Sequence, residues 1–210
     1  MSATPGDRGE MAGVAMALVA DNQDPKGLGR VKVTYPWRAA DDESYWARIA
    51  VPMAGPEVGT FFLPEEGDEV LVAFEGGDLE HPYVVGALWN GEREPPEDNA
   101  DGNNDVRTVR SRSGHELTFD DADDGGGITI ETSGGHTVTL DDSSGSEELS
   151  VADKSGQNSL TFDPNAGEVT LKAGGTLTIE APSIELSGEG SVKIESNGML
   201  TLEGALVKIN

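Results

Sequence analysis

The runs Leu117-Thr118-Phe119, Ile128-Thr129-Ile130 and Val138-Thr139-Leu140 decide how the chain reads. Each places two apolar residues around one small polar residue. The figure continues through Leu149/Val151, Leu160/Phe162, Val169/Leu171, Leu177/Ile179, Ile184/Leu186, Val192/Ile194, Leu200/Leu202 and Val207/Ile209. Gly, Ser, Asp and Asn fill most of the gaps. Alternation with period two in β-forming residues, broken at regular intervals by turn formers, predicts a stack of short strands. First members stand 11, 10, 11, 11, 9, 8, 7, 8, 8 and 7 residues apart, so the stack should taper toward its C-terminal end.

Each rung carries only about two apolar side chains, both on one face. A fully buried aliphatic side chain contributes roughly 1.5–3 kcal/mol, and only if that face meets another. Single-chain solenoids close a core with turns of about twenty residues or more, and these rungs are too short for that. Three chains wound together, each supplying one wall in turn, would bury every doublet on a shared axis. Every strand would then be paired above and below by neighbouring chains. Eleven rungs at roughly 4.8 Å per strand give a shaft of about 50 Å. A monomeric repeat fold is the simpler rival.

The first half is built differently. Trp37, Trp46, Trp89 and all three tyrosines precede residue 90, so a globular core belongs there. Five extended segments follow one another: Val14 to Leu18, Arg30 to Tyr35, Tyr45 to Val51, Glu69 to Phe74 and Tyr83 to Trp89. Val14, Met16 and Leu18 share a face of the first. Val31, Val33 and Tyr35 share a face of the second, and Ala47, Ile49 and Val51 share a face of the third. Val70, Val72 and Phe74 point inward on the fourth, while Tyr83, Val85, Ala87 and Trp89 share a face of the fifth. Pro52 to Gly59 reads as a loop. Five short strands without a helical period predict a small closed barrel. The division expected is a flexible arm over 1–12, a barrel over 13–91, an acidic linker over 92–105 and the ladder over 106–210. The fold class is all-β.

Acidic residues number 39 against 14 basic ones, a formal net charge of −25. Polyanion binding needs a surplus of Lys and Arg, so a nucleic-acid partner is disfavoured. Such acidity also suits a source rich in salt, which screens self-repulsion. There is no Cys, hence no disulfide and no thiolate metal site. No stretch has the length of a membrane-spanning helix, and no signal peptide is recognisable, so synthesis and retention in the cytoplasm until assembly or release are expected.

Several motifs, in order, carry a resemblance: Asp24-Pro25-Lys26-Gly27-Leu28-Gly29-Arg30-Val31-Lys32-Val33, Tyr45-Trp46-Ala47-Arg48, Pro52-Met53-Ala54-Gly55, Leu63-Pro64-Glu65-Glu66-Gly67-Asp68-Glu69-Val70-Leu71-Val72 and Pro82-Tyr83-Val84-Val85-Gly86-Ala87-Leu88-Trp89-Asn90-Gly91. They resemble the spike proteins of contractile injection systems, called VgrG in type VI secretion and baseplate assembly protein V in phages. The resemblance covers nearly all of residues 13 to 91, and the ladder looks like the family's needle. It implies a homotrimer with an OB (oligonucleotide/oligosaccharide-binding) barrel at the base of a triple-stranded β-helix. It further implies a tail hub protein at the barrel end and a PAAR-type tip protein at the needle end. The target membrane is met only by mechanical piercing, from a virion or extracellular injection particle. The large N-terminal hub domain of VgrG is absent from the sequence, which favours a phage-type or extracellular particle over a type VI spike. The tip-protein contact would fall on Leu200, Leu202, Val207, Ile209 and Asn210.

Other chemistry is weak. Some spikes of the family hold iron through closely spaced histidines near the tip, but no His follows His136. His115 and His136 read as surface residues, and His81 has no recognisable partner. Asp120, Asp121, Asp123 and Asp124 could hold Ca²⁺, yet a solvated acidic turn is the plainer reading. Lys26, Arg30, Lys32 and Arg38 near Tyr35 and Trp37 could suit single strands, although the net charge opposes it. No catalytic set, metal site or cofactor motif occurs, so the chain reads as a non-enzyme. Two alternatives stand beside the spike: an OB nucleic-acid binder with a repetitive tail, and a Ca²⁺-dependent β-roll adhesin.

Overall fold

The computed structural model describes residues 11, 13–39, 43–123 and 125–209. The chain divides into two compact units between Asn104 and Asp105. The described residues hold strands, one 3₁₀ turn (Glu75–Gly77) and no α-helix.

The N-terminal unit is a curled five-stranded sheet. Its strands are β1 (Val14–Asp21), β2 (Lys32–Thr34), β3 (Arg48–Ile49), β6 (Glu69–Phe74) and β7 (Pro82–Leu88), in the order β2-β1-β6-β7-β3. β3 runs parallel to β7 and the other pairings are antiparallel. A bridge between Val31 and Ala47 joins the two ends of that order, with N–H···O distances of 3.1 and 2.7 Å, and so closes the curl. Val31, Val33, Val70, Val72 and Val84 fill the interior.

The apolar face read on the first strand is not the buried one: on β1 the buried residues are Ala15, Ala17 and Val19, whereas Val14, Met16 and Leu18 face outward. β7 buries Pro82 and Val84 and ends at Leu88, so Trp89, read as part of the fifth strand, lies beyond it, exposed. The cause is volume: Val31, Val33, Val70, Val72 and Val84 already fill a narrow interior, and side chains the size of Met16 and Leu18 would overpack it where Ala15, Ala17 and Val19 fit. The β6–β7 pairing also shifts register between Leu71 and Val72, and such a bulge re-aims side chains. Pro52–Gly59 is not a plain loop. It forms a small hairpin, β4 (Ala54–Gly55) with β5 (Val58–Gly59).

The C-terminal unit is a seven-stranded antiparallel meander. Its strands are β8 (Val106–Arg110), β9 (Glu116–Asp120), β10 (Gly127–Glu131), β11 (Thr137–Asp141), β12 (Glu148–Ala152), β13 (Ser159–Asp163) and β14 (Glu168–Lys172), paired strictly in chain order. This corrects the expectation that every strand is paired by neighbouring chains. Up to Lys172 the ladder pairs with itself. The spacing explains it: a repeat of 9–11 residues leaves loops of four to six residues between five-residue strands, enough to reverse direction. Gly135 and Gly145, both at φ +82°, sit in two of these loops, where a residue with a Cβ would be strained. Beyond Lys172 the described residues form no strand.

Candidate functional site: one apolar sheet face

The register of the meander builds two continuous columns on one face. Val109, Leu117, Ile130, Val138, Val151, Leu160 and Leu171 succeed one another across the strands in the first. Arg107, Phe119, Ile128, Leu140, Leu149, Phe162 and Val169 do so in the second. Residues directly opposite in a sheet stand about 4.5–5.5 Å apart, so each column is a contact chain. The middle residues form a matching polar column on the other face: Thr108, Thr118, Thr129, Thr139, Ser150, Thr161 and Thr170. At its start Glu116 accepts hydrogen bonds from Thr108 Oγ1 (3.0 Å) and Thr118 Oγ1 (2.9 Å) and pairs with Arg110 (3.2 Å). The two hydroxyls and the cation hold the Glu116 carboxyl below its usual range.

The apolar face is not covered within the chain. No described residue of this unit is buried; the whole buried core lies in the barrel. Ile130 is 48% exposed, Leu149 47% and Leu171 56%. Along the first column Ile130, Val138, Val151, Leu160 and Leu171, with Leu177 from beyond the sheet, line an open groove of about 600 Å³.

The expected needle residues therefore fall into two sets. Leu117, Phe119, Ile128, Ile130, Val138, Leu140, Leu149, Val151, Leu160, Phe162, Val169 and Leu171 share this one face. Leu177, Ile179, Ile184, Leu186, Val192, Ile194, Leu200, Leu202, Val207 and Ile209 lie outside any strand, all exposed. Asn210 lies outside the described residues. Val109 belongs to the face and escapes the sequence pattern, because its doublet partner is Arg107 rather than an apolar residue.

In the barrel Arg30 and Lys32 are engaged. Asp24 accepts from Arg30 Nε (2.8 Å) and Nη2 (2.7 Å) and from the backbone N–H groups of Lys26 and Leu28 (both 3.0 Å). The Arg30 guanidinium holds the Asp24 carboxyl far below the usual carboxylate range. Lys32 pairs with Glu43 at 2.9 Å, and both Arg30 and Lys32 lie over the Trp46 ring. Trp46, rather than Trp37, is thus the aromatic these cations meet. His81 does have partners: Asp78 Oδ2 at 3.0 Å and the stacked ring of Tyr45. His115 and His136 are exposed, and His115 Nδ1 accepts from the Ser133 N–H at 3.2 Å. Among the described residues no group of three or more His, Cys, Asp or Glu is placed to hold a metal ion. A further exposed apolar patch comprises Leu28, Met53, Val58, Phe61 and Phe62, beside the β4–β5 hairpin.

Residues 15–89 match the model of the type VI secretion system/phage-baseplate injector OB domain. The same region is 40% identical over 72 residues to the type VI secretion system spike protein VgrG5 of Pseudomonas aeruginosa, covering 32% of this chain and 9% of that protein. It is 34% identical over 73 residues to the spike protein VgrG3 of Vibrio cholerae, covering 33% and 7%. It is 33% identical over 72 residues to the actin cross-linking toxin VgrG1 of Vibrio cholerae, covering 32% and 7%. The matched region spans about a tenth or less of the length of these relatives.

Proposed function

We propose that the chain is a member of the spike family of type VI secretion systems and phage baseplates, on the match of its OB domain over residues 15–89, and that it is the central spike of a contractile injection particle. Three copies assemble around a common axis with the apolar faces of β8–β14 turned inward. The shaft then acts by stiffness: force along the axis spreads over many rungs, and no copy peels off without wetting its columns. The single observation that carries this reading is the uncovered double column of apolar residues. Full burial of such a side chain contributes about 1.5–3 kcal/mol. At most positions of the columns roughly half the side chain is still open to solvent in the single chain.

Beyond Lys172 the reading is of three wound chains. The rungs there are 7–8 residues apart. Between Ile179 and Ile184 the centre of the link is Ala181-Pro182, which suits neither two-residue hairpin: type I′ demands positive φ at Pro182, and type II′ demands it at Ala181, where a Cβ is strained. At this link the chain passes on to the next wall rather than turning back, and the rungs from Leu177 to Ile209 are read as paired with strands of sister copies. Leu200, Leu202, Val207 and Ile209, with Asn210, seat a PAAR-type tip protein, and the barrel end rests on a hub protein.

Mass measurement in solution tests the reading. Three copies of the 22.0 kDa chain are expected. A monomer at micromolar concentration would remove the shaft and the piercing role with it.

A further inference from the structure

A pocket of about 480 Å³ opens on the barrel where three segments meet: β2 with Tyr35 just beyond it, residues 43–46, and residues 78–81, which lead into β7. Hydrogen bonds hold its frame. A bridge pairs Thr34 with Glu43. The buried Ser44 donates its N–H to the Val33 carbonyl at 2.8 Å. Its hydroxyl accepts from the Val33 N–H at 3.0 Å and donates to the Tyr45 carbonyl at 2.7 Å. Tyr35 donates to the Leu79 carbonyl at 3.2 Å and so ties the third segment to the first. Aromatic and polar groups share the lining. Tyr45 is 62% exposed even though its ring stacks on His81, and it takes no part in the barrel core. Trp46 lies beside it with Arg30 and Lys32 over its ring. Lys32 and Glu43 pair 2.9 Å apart, and both remain partly exposed. Arg38 and Glu80 complete the charged lining, which therefore holds two cations and two carboxylates and is formally neutral.

We propose that this pocket binds a neutral oligosaccharide. A polyanion would find no surplus of cations in the lining, and a chain of −25 repels it. A purely apolar ligand would strip water from the charged groups without replacing their hydrogen bonds, at about 1–3 kcal/mol for each group left unsatisfied. An uncharged pyranose meets both demands. Its C–H face lies against the open Tyr45 ring, a large apolar surface with fixed geometry. Its hydroxyls donate as well as accept. The Lys32–Glu43 pair sets a donor and an acceptor side by side, the arrangement that two neighbouring sugar hydroxyls require. One hydroxyl gives its proton to the Glu43 carboxylate, and the next accepts from the Lys32 ammonium. An ammonium has three N–H donors and a carboxylate about four acceptor sites, so the existing ion pair leaves capacity for both. Hydrogen bonds to ionised groups are about twice as strong as neutral ones. The volume falls within the roughly 300–1,000 Å³ of small-ligand pockets. Saccharide binding would give the barrel a role separate from the shaft, and it does not depend on the number of copies.

Calorimetric titration of the full chain with cellotetraose, maltotetraose, mannotetraose and chitotetraose tests the site. At least one of the four is expected to bind saturably, one per chain, with a dissociation constant of about 1 mM or tighter. Tyr45→Ala and Glu43→Ala, both at exposed positions, should each weaken that binding by about tenfold or more while leaving the melting temperature of the barrel in place. Trp89→Ala, at an exposed aromatic outside the pocket, should leave the binding unchanged. No saturable binding of any of the four at about 10 mM would overturn the proposal. So would binding that survives both pocket substitutions, or that Trp89→Ala weakens equally. A deoxythymidine decamer is expected not to bind. Its binding in a manner lost with Tyr45→Ala would mean that the pocket takes nucleobases, and the saccharide assignment would fall.

Discussion

Asp24 closes a loop with one carboxylate and four donors, two from Arg30 and two from the backbone at Lys26 and Leu28. A bidentate guanidinium–carboxylate pair is among the stronger hydrogen-bonded contacts. It fixes the turn that delivers Val31 and Val33 into the barrel. The carboxyl titrates far lower folded than unfolded. Its contribution to stability is therefore complete above the unfolded value of about 3.9 and is lost as pH falls through and below that value toward the folded one. Arg30 stays charged throughout. Asp24→Asn should lower the melting temperature of the barrel at pH 7, and the gap to the unmodified protein should narrow as pH falls below about 4. A gap independent of pH between 7 and 2.5 would assign the loss to packing rather than charge. Gly127 gives a second test. A Cβ there would lie 2.4 Å from the Leu140 carbonyl oxygen, backbone that cannot yield without moving β11. Gly127→Ala should cost about 1–3 kcal/mol, the usual range for overpacking, read from chemical denaturation. A Gly145→Ala change, where nothing lies within 4 Å, meets only the strain of φ +82°.

Among the elements, β9 to β14 were legible from sequence because Val, Ile, Leu and Thr alternate cleanly and turn formers separate them. Their partners were not. A doublet such as Leu149/Val151 states which face is apolar but not which strand lies beside it. Only loop length decides whether the chain turns back on itself. On β1 the sequence leaves the buried face open for a different reason: Val14, Met16 and Leu18 and their neighbours Ala15, Ala17 and Val19 are both apolar sets, so alternation carries no direction. The interior volume chose the smaller set. β8 was hidden because Arg107 interrupts the pattern. The uncovered face makes its own prediction. Leu160→Ala should cost about 2–5 kcal/mol per chain if sister copies cover Leu160, measured by denaturation at a concentration where the unmodified protein is trimeric. Thr139→Lys, on the opposite polar column, should change stability by no more than about 0.5 kcal/mol, as surface substitutions do. Equal effects of the two would mean that the apolar face is not the buried one.

At the scale of the whole molecule, charge sets the conditions of assembly. Each chain carries −25, so three copies bring together −75, the product of three equal charges. In the proposed trimer this repulsion works against the buried apolar columns. The summed repulsion acts over long distances and is screened strongly. Raising ionic strength from about 0.01 M to 0.15 M shortens the screening length from roughly 30 Å to 8 Å. That removes most of the long-range repulsion and leaves contacts within about 4 Å largely in place. The apolar columns are indifferent to this change. The trimer should therefore be more stable at 0.15 M than at 0.01 M NaCl, the reverse of an assembly held by exposed ion pairs alone. Sedimentation equilibrium at the two ionic strengths reads the sign directly. Tighter association at 0.01 M would mean that exposed ion pairs, not buried apolar faces, hold the copies together.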